Sequence, residues 1–116
     1  MRRVSLAGAL ALLFAGTVLA QDQPKKITRA EALAAIATKV QPEYPPMAKQ
    51  LHVEGEVQLE ALVAENGTVT KVNILSGNPM LTGPTADTLK KWKFKPFSED
   101  GKPIRVIAPL TFNFKL

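Results

Sequence analysis

The residue types that carry acid–base, nucleophilic or metal chemistry are scarce in this chain. It has one histidine, His52, and no cysteine. That excludes cysteine nucleophiles, thiolate zinc sites and disulfide staples, and with them most catalytic triads and dyads. Glu56 and Glu60 can share one face of a strand, but Gln58 and the run from Thr68 to Ser76 describe a wet sheet surface around them, not a cleft. Lys90, Lys91, Lys93 and Lys95 could meet an anionic glycan, a lipid headgroup or a receptor. The plainer reading of such a run is a solvated helix end. His52 follows a short helix and precedes a strand, as a surface or linker residue does. No catalytic residue, metal site or cofactor is expected, and the chain reads as a non-enzyme.

What remains is main-chain chemistry. Ile104, Val106, Ala108, Leu110, Phe112, Phe114 and Leu116 are all apolar and all spaced by two. Arg105, Ile107, Pro109, Thr111, Asn113 and Lys115 lie between them. This is a strand with one buried face. Pro109 has no N–H, so the strand is expected at a sheet edge or bulged at that point. An unpaired edge offers donors and acceptors to an extended peptide.

The elements that must position this strand follow from the rest of the 116 residues, which are enough for one domain. The 46% hydrophobic content suits a folded core. Met1-Arg2-Arg3, the uncharged run Val4 to Leu19, and Ala20 before Gln21 read as a signal peptide over residues 1–20, which places the mature chain in the periplasm. A retained inner-membrane anchor facing the periplasm is the alternative, although sixteen helical residues span only about 24 Å of a ~30 Å hydrocarbon core. Cleavage would remove Arg2 and Arg3 and leave 13 − 10 = +3 from the formal +5. So mild a charge does not point to nucleic acid.

Residues 21–40 read as a polar arm and a short helix. Thr28 and Glu31 form a capping-box pair ahead of a helix over Glu31 to Lys39. Gln41-Pro42-Glu43-Tyr44-Pro45-Pro46 forces an extended path, with the Tyr44 ring expected to be buried, and Pro46 can open a second short helix to Leu51. Val57, Leu59, Ala61 and Val63 alternate with Glu56, Gln58, Glu60 and Leu62, a strand with one apolar and one largely wet face. Asn66-Gly67 predicts a two-residue hairpin with both turn residues at positive φ. The apolar phase of Thr68 to Ser76 shifts between Val69 and Val72, as a bulge near Thr70 would explain. Thr82 or Gly83 is expected to cap a third helix with Pro84 at its first position, carrying Ala86, Leu89 and Trp92 on one buried stripe and ending at Pro96. Asp100-Gly101 is a turn. The expected fold is α+β, a three-stranded antiparallel sheet with two to three short helices packed on one face.

Taken together in order, several segments resemble the TonB C-terminal domain family. They are Gln41-Pro42-Glu43-Tyr44-Pro45 with Ala48 and Gly55-Glu56-Val57, then Gly67-Thr68-Val69, Val72 to Ser76, Trp92 to Pro96, and Phe112 to Leu116. The resemblance covers residues 41–116. It implies a module that holds the TonB box of an outer-membrane TonB-dependent receptor, or a related envelope peptide, as an added strand along the last strand of the domain. Carried onto this sequence, the peptide-binding residues are Arg105, Ile107, Pro109, Thr111 and Asn113, with Gln41 nearby. Family members with the complete architecture work with ExbB and ExbD in the inner membrane, which would apply here only if the N-terminus is retained. The Pro-rich spacer of that architecture is not seen in this sequence. A different class of reading is an envelope interaction domain with no transport role, self-associating as a homodimer through edge strands.

Overall fold

A computed structural model describes residues 23–116, so the expected signal peptide at residues 1–20 lies outside the described residues. The elements run β1 (Lys25–Lys26), α1 (Arg29–Ala34), β2 (Ile36–Thr38), α2 (Pro46–Gln50), β3 (Gly55–Val63), β4 (Val69–Ser76), α3 (Pro79–Leu89), β5 (Lys93–Phe94), β6 (Phe97–Glu99), β7 (Lys102–Ile104) and β8 (Val106–Phe114). The fold is α+β. Its main sheet has the order β1-β8-β3-β4. The three long strands are antiparallel, as the alternation requires, while the two-residue β1 adds a short parallel pairing outside β8. Two further two-stranded sheets, β2-β5 and β6-β7, are additions to the expected architecture.

β3 and β8 pair without interruption from Gly55 opposite Phe114 to Val63 opposite Val106. That register aligns two apolar rows on one face. Val57, Leu59, Ala61 and Val63 from β3 are buried with Val106, Ala108, Leu110 and Phe114 from β8. Leu81, Ala86 and Leu89 of α3 close over this face, joined by Trp92, Phe94, Ala32 and Ala48. Each large aliphatic side chain so buried contributes roughly 1.5–3 kcal/mol before entropy is counted. The opposite sheet face carries Glu56, Gln58, Lys71 and Asn73, all exposed.

The bulge expected near Thr70 is present. Lys71 pairs with Leu62 and Val69 with Val63, so Thr70 is the extra residue, and its hydroxyl donates to the Leu62 carbonyl at 3.2 Å. A second irregularity sits at Leu75, between the pairings of Ser76 and Ile74. The phase shift in the sequence is the signature of the first bulge: one inserted residue returns Val69 and Val72 to the same face.

Three expectations are corrected. The helix after Thr28 stops at Ala34, because residues 36–38 are drawn out to pair with β5. The third helix begins at Pro79, five residues before Pro84, because Asn78 caps it by accepting from the Met80 N–H at 2.9 Å. Pro84 therefore lies inside the helix, and Trp92 lies beyond its end, buried from a loop. The hairpin at Asn66-Gly67 exists, but its turn is different. The Gly67 N–H donates to the Ala64 carbonyl and the Ala64 N–H to the Thr68 carbonyl, a three-residue loop in which Gly67 alone has positive φ, at 91°. Asn66 uses its side chain to accept from the Thr68 N–H and hydroxyl. The turn with two positive-φ residues is found instead at Asp100 and Gly101, between β6 and β7.

Gly67 has a second task. Its carbonyl accepts from the Phe94 N–H at 2.9 Å, and a Cβ there would stand 1.9 Å from the Phe94 carbonyl oxygen. Gly67→Ala is expected to combine backbone strain with this clash and to destabilise the fold by at least ~1–3 kcal/mol, measured as a lower urea midpoint. An unchanged midpoint would mean that the hairpin does not seat on β5 in solution.

Candidate functional site

The direction of the β8 backbone is fixed by its neighbours. Lys25 N–H donates to the Arg105 carbonyl at 3.0 Å and Ile27 N–H to the Ile107 carbonyl at 3.1 Å, both on the side away from β3. Main-chain groups alternate sides along a strand. Pro109, Thr111 and Asn113 therefore also turn their main chain away from β3. Pro109 sits opposite Glu60 with its missing N–H on the outer side. This is why β8 needs no bulge at proline and why its ladder to β3 is unbroken.

Beyond Ile107 the outer edge borders a groove of about 320 Å³. One wall is Leu110 to Lys115 of β8 and its end. The other is formed by Leu33 of α1 and by Lys39, Gln41, Pro42 and Tyr44, with Trp92 between them. The extended path of residues 40–44 is pinned at both ends. Trp92 Nε1 donates to the Val40 carbonyl at 2.8 Å, and its ring meets Phe112 edge-on at 5.4 Å. The Tyr44 hydroxyl donates to the Val53 carbonyl, and its ring meets Phe114 edge-on at 5.3 Å. Prolines 42, 45 and 46 keep the intervening chain from turning helical before α2. Gln41 is left exposed at the groove. Partial burial, with Glu54 as a smaller cause, raises the Tyr44 phenol above its ordinary value, so its hydroxyl stays a neutral donor. Lys39 and Lys49 lie 5.9 Å from the Trp92 and Tyr44 ring centres, cation–π contacts at exposed positions.

The structure brings Gln41, Thr111 and Asn113 to one groove. Pro109 lies on the same edge just before it. Arg105 and Ile107 do not share it, because their outward carbonyls are taken by the chain's own Lys25 and Ile27. Sequence reasoning did not find this strand: Lys25-Lys26 is too short and too charged to read as one. It also missed Leu33 and Lys39 as groove residues, since both depend on where α1 lands. Among the described residues no group of three or more His, Asp or Glu could hold a metal, and no helix is long and apolar enough to cross a membrane. Glu56 lies on the open sheet face beside Gln58, whose amide donates to it at 3.2 Å, and His52 is exposed at φ 54° just after α2.

Comparison with known proteins supplies an independent view of this geometry. Residues 40–116 match the model of the Gram-negative bacterial TonB protein C-terminal family. The Protein TonB of Vibrio cholerae is 33% identical over 85 residues, which cover 72% of this chain and 35% of that protein. The Protein TonB of Xanthomonas campestris is 39% identical over 75 residues, 61% of this chain and 34% of that one. The chain thus spans about a third of the length of these curated relatives. Among solved structures, the solution structure of the Pseudomonas aeruginosa TonB C-terminal domain aligns with a TM-score of 0.60 at 26% identity, covering 70% of this chain and 84% of that one. The Vibrio anguillarum TonB2 protein aligns with a TM-score of 0.53 at 32% identity, covering 69% and 81%.

The pinning of residues 40–44 is directly testable. Tyr44→Phe keeps the ring on Phe114 and removes the donor to Val53, and is expected to cost about 1 kcal/mol in chemical denaturation. Tyr44→Ala should cost several times more and speed amide exchange in residues 41–44. Equal stability of the two variants would show that the ring does not hold this segment.

Proposed function

This chain belongs to the TonB C-terminal family, and from that premise we propose that it is a binding module for an extended peptide, taken up as an added strand on β8. The ligand class is the TonB box of an outer-membrane TonB-dependent receptor, which ties the chain to TonB-dependent transport across the envelope. The observation that carries the reading is the outer edge of β8 beyond Ile107. There Thr111 and Asn113 turn their main-chain N–H and C=O toward a groove that Gln41 and Tyr44 wall on the far side. An extended peptide laid along that edge completes the backbone hydrogen bonds, while side chains on alternate positions reach the groove or solvent. Binding and not catalysis is the proposed role. The proposed setting is the periplasm, with residues 41–116 as the binding unit. An ExbB/ExbD-type motor would be a partner only for a chain that keeps a membrane anchor.

Self-association is the second reading, and one feature favours it. β4 forms the opposite sheet edge, and its Ile74 and Leu75 are 48% and 55% exposed. The bulges at Thr70 and Leu75 break the regularity that edge-to-edge pairing needs, which weighs against it. A dimer dissociated by Leu75→Lys, in a chain that binds no peptide, would favour this reading.

The test of the first reading is Thr111→Pro. It deletes a donor on the outer side of β8 and leaves the β3 ladder intact, so the fold should persist. Binding of a TonB-box peptide, followed by calorimetry, is expected to weaken by about five- to ten-fold, the effect of one lost backbone hydrogen bond. Affinity unchanged across the titration would rule out strand addition at this edge.

A further inference from the structure

The outer edge of β8 is divided at Pro109. On one side, β1 occupies it in parallel register, with Lys25 opposite Val106 and Lys26 opposite Ile107. On the other side the groove begins at Leu110. The two halves are unlike in their anchorage. Ile27 packs against the core, and Thr28 caps α1 through a reciprocal pair with Glu31, at 3.1 Å into the Thr28 hydroxyl and 3.0 Å back to the Glu31 carboxylate. Ala32 is fully buried, and the Ala35 carbonyl accepts from the Lys95 N–H at 2.7 Å. The segment after Ile27 is therefore built into the domain. Lys25 adds an exposed ion pair to Glu99 of β6 at 2.5 Å.

From this we infer that β1 and the turn into α1 form a fixed stop on the ligand edge: a bound peptide pairs only from Pro109 to Asn113 and must leave the sheet there. The inference rests on the proposed function and goes beyond it by setting the register limit and the length of the ligand strand. Three outward carbonyls (Pro109, Thr111, Asn113) and two outward N–H groups (Thr111, Asn113) are what this stretch offers. Pro109 is well placed as the boundary, because an edge position without a donor gives least to either strand. The partner this surface fits is a short extended stretch inside a chain that can bend away next to the stop. A long regular strand would meet Ile27 and Thr28.

The experiment uses the full chain and a nested series of TonB-box peptides, lengthened one residue at a time toward β1. Affinity is followed by calorimetry, and protection of the Ile27 amide by hydrogen exchange. The series is repeated on Lys25→Pro, which removes both the bond to Arg105 and the ion pair to Glu99. Ile27→Ala, which weakens the packing of the strap without proline, provides a second opening variant should the first lose its fold. With the intact chain, residues added past the stop are expected to give no gain, and Ile27 stays protected with peptide bound. In the opening variants the same residues should tighten binding by about five-fold for each backbone hydrogen bond gained. A longer peptide that binds the intact chain more tightly while Ile27 loses protection would overturn the stop in favour of displacement. So would opening variants that give extension no effect. Failure of every peptide to bind either chain removes the proposed function itself, and the stop with it, a result distinct from both.

Discussion

The nine-residue pairing of β3 with β8 is the constraint on which the rest of the molecule depends. A register from Gly55 opposite Phe114 to Val63 opposite Val106 puts every odd apolar residue of β3 and every even one of β8 on the same side. A slip by one residue would send one of these rows to solvent. With the rows aligned, α3 has a continuous surface on which to bury Leu81 and Leu89. The same register decides the polarity of the β8 backbone. Its even residues bond inward to β3, so its odd residues are left facing out, and Pro109 falls among them.

The groove is a consequence of what can be hung on that framework. Trp92 comes from the loop after α3, just before β5 joins β2. Tyr44 comes from the proline-stiffened segment before α2. Each aromatic ring lies edge-on to a phenylalanine near the end of β8, and each carries a polar atom that captures a main-chain carbonyl. Aromatic residues with a polar handle suit this task because the ring is buried while the donor fixes its orientation. Two such clamps fix residues 40–44 across the groove from the β8 edge.

The two sheet edges are treated differently. β4 is bulged at Thr70 and at Leu75, which twists it away from regular pairing. β8 pairs with β3 without a bulge, and it is protected instead by occupation: β1 covers its start and the groove walls flank its end. An open regular edge is a hazard for aggregation unless it has a purpose.

Much of this was legible in the residues themselves. The period-two rows of β3 and β8, the capping box at Thr28 and Glu31, the bulge at Thr70 and the outward proline all follow from local rules, because each depends on residues near one another in the chain. Pro109, Thr111 and Asn113 could be put on one side of that strand on the same grounds, while Gln41 was pointed to only by the resemblance of residues 41–116 to a known family. Other features could not be read this way. The three-residue turn at Gly67 follows from its approach to Phe94, far along the chain. The early stop of α1 follows from β5 claiming residues 36–38, which overrides a helix-favouring composition. Occupation of Arg105 and Ile107 by Lys25 and Ile27 is a long-range hydrogen-bonding choice with no hydrophobic pattern to announce it. The sequence by itself determined the buried row of β8 and narrowed Pro109 to an edge or a bulge, since alternation and the absence of one N–H are properties of single residues. Only the tertiary structure decided how much of that edge is open, because that depends on where distant segments come to rest.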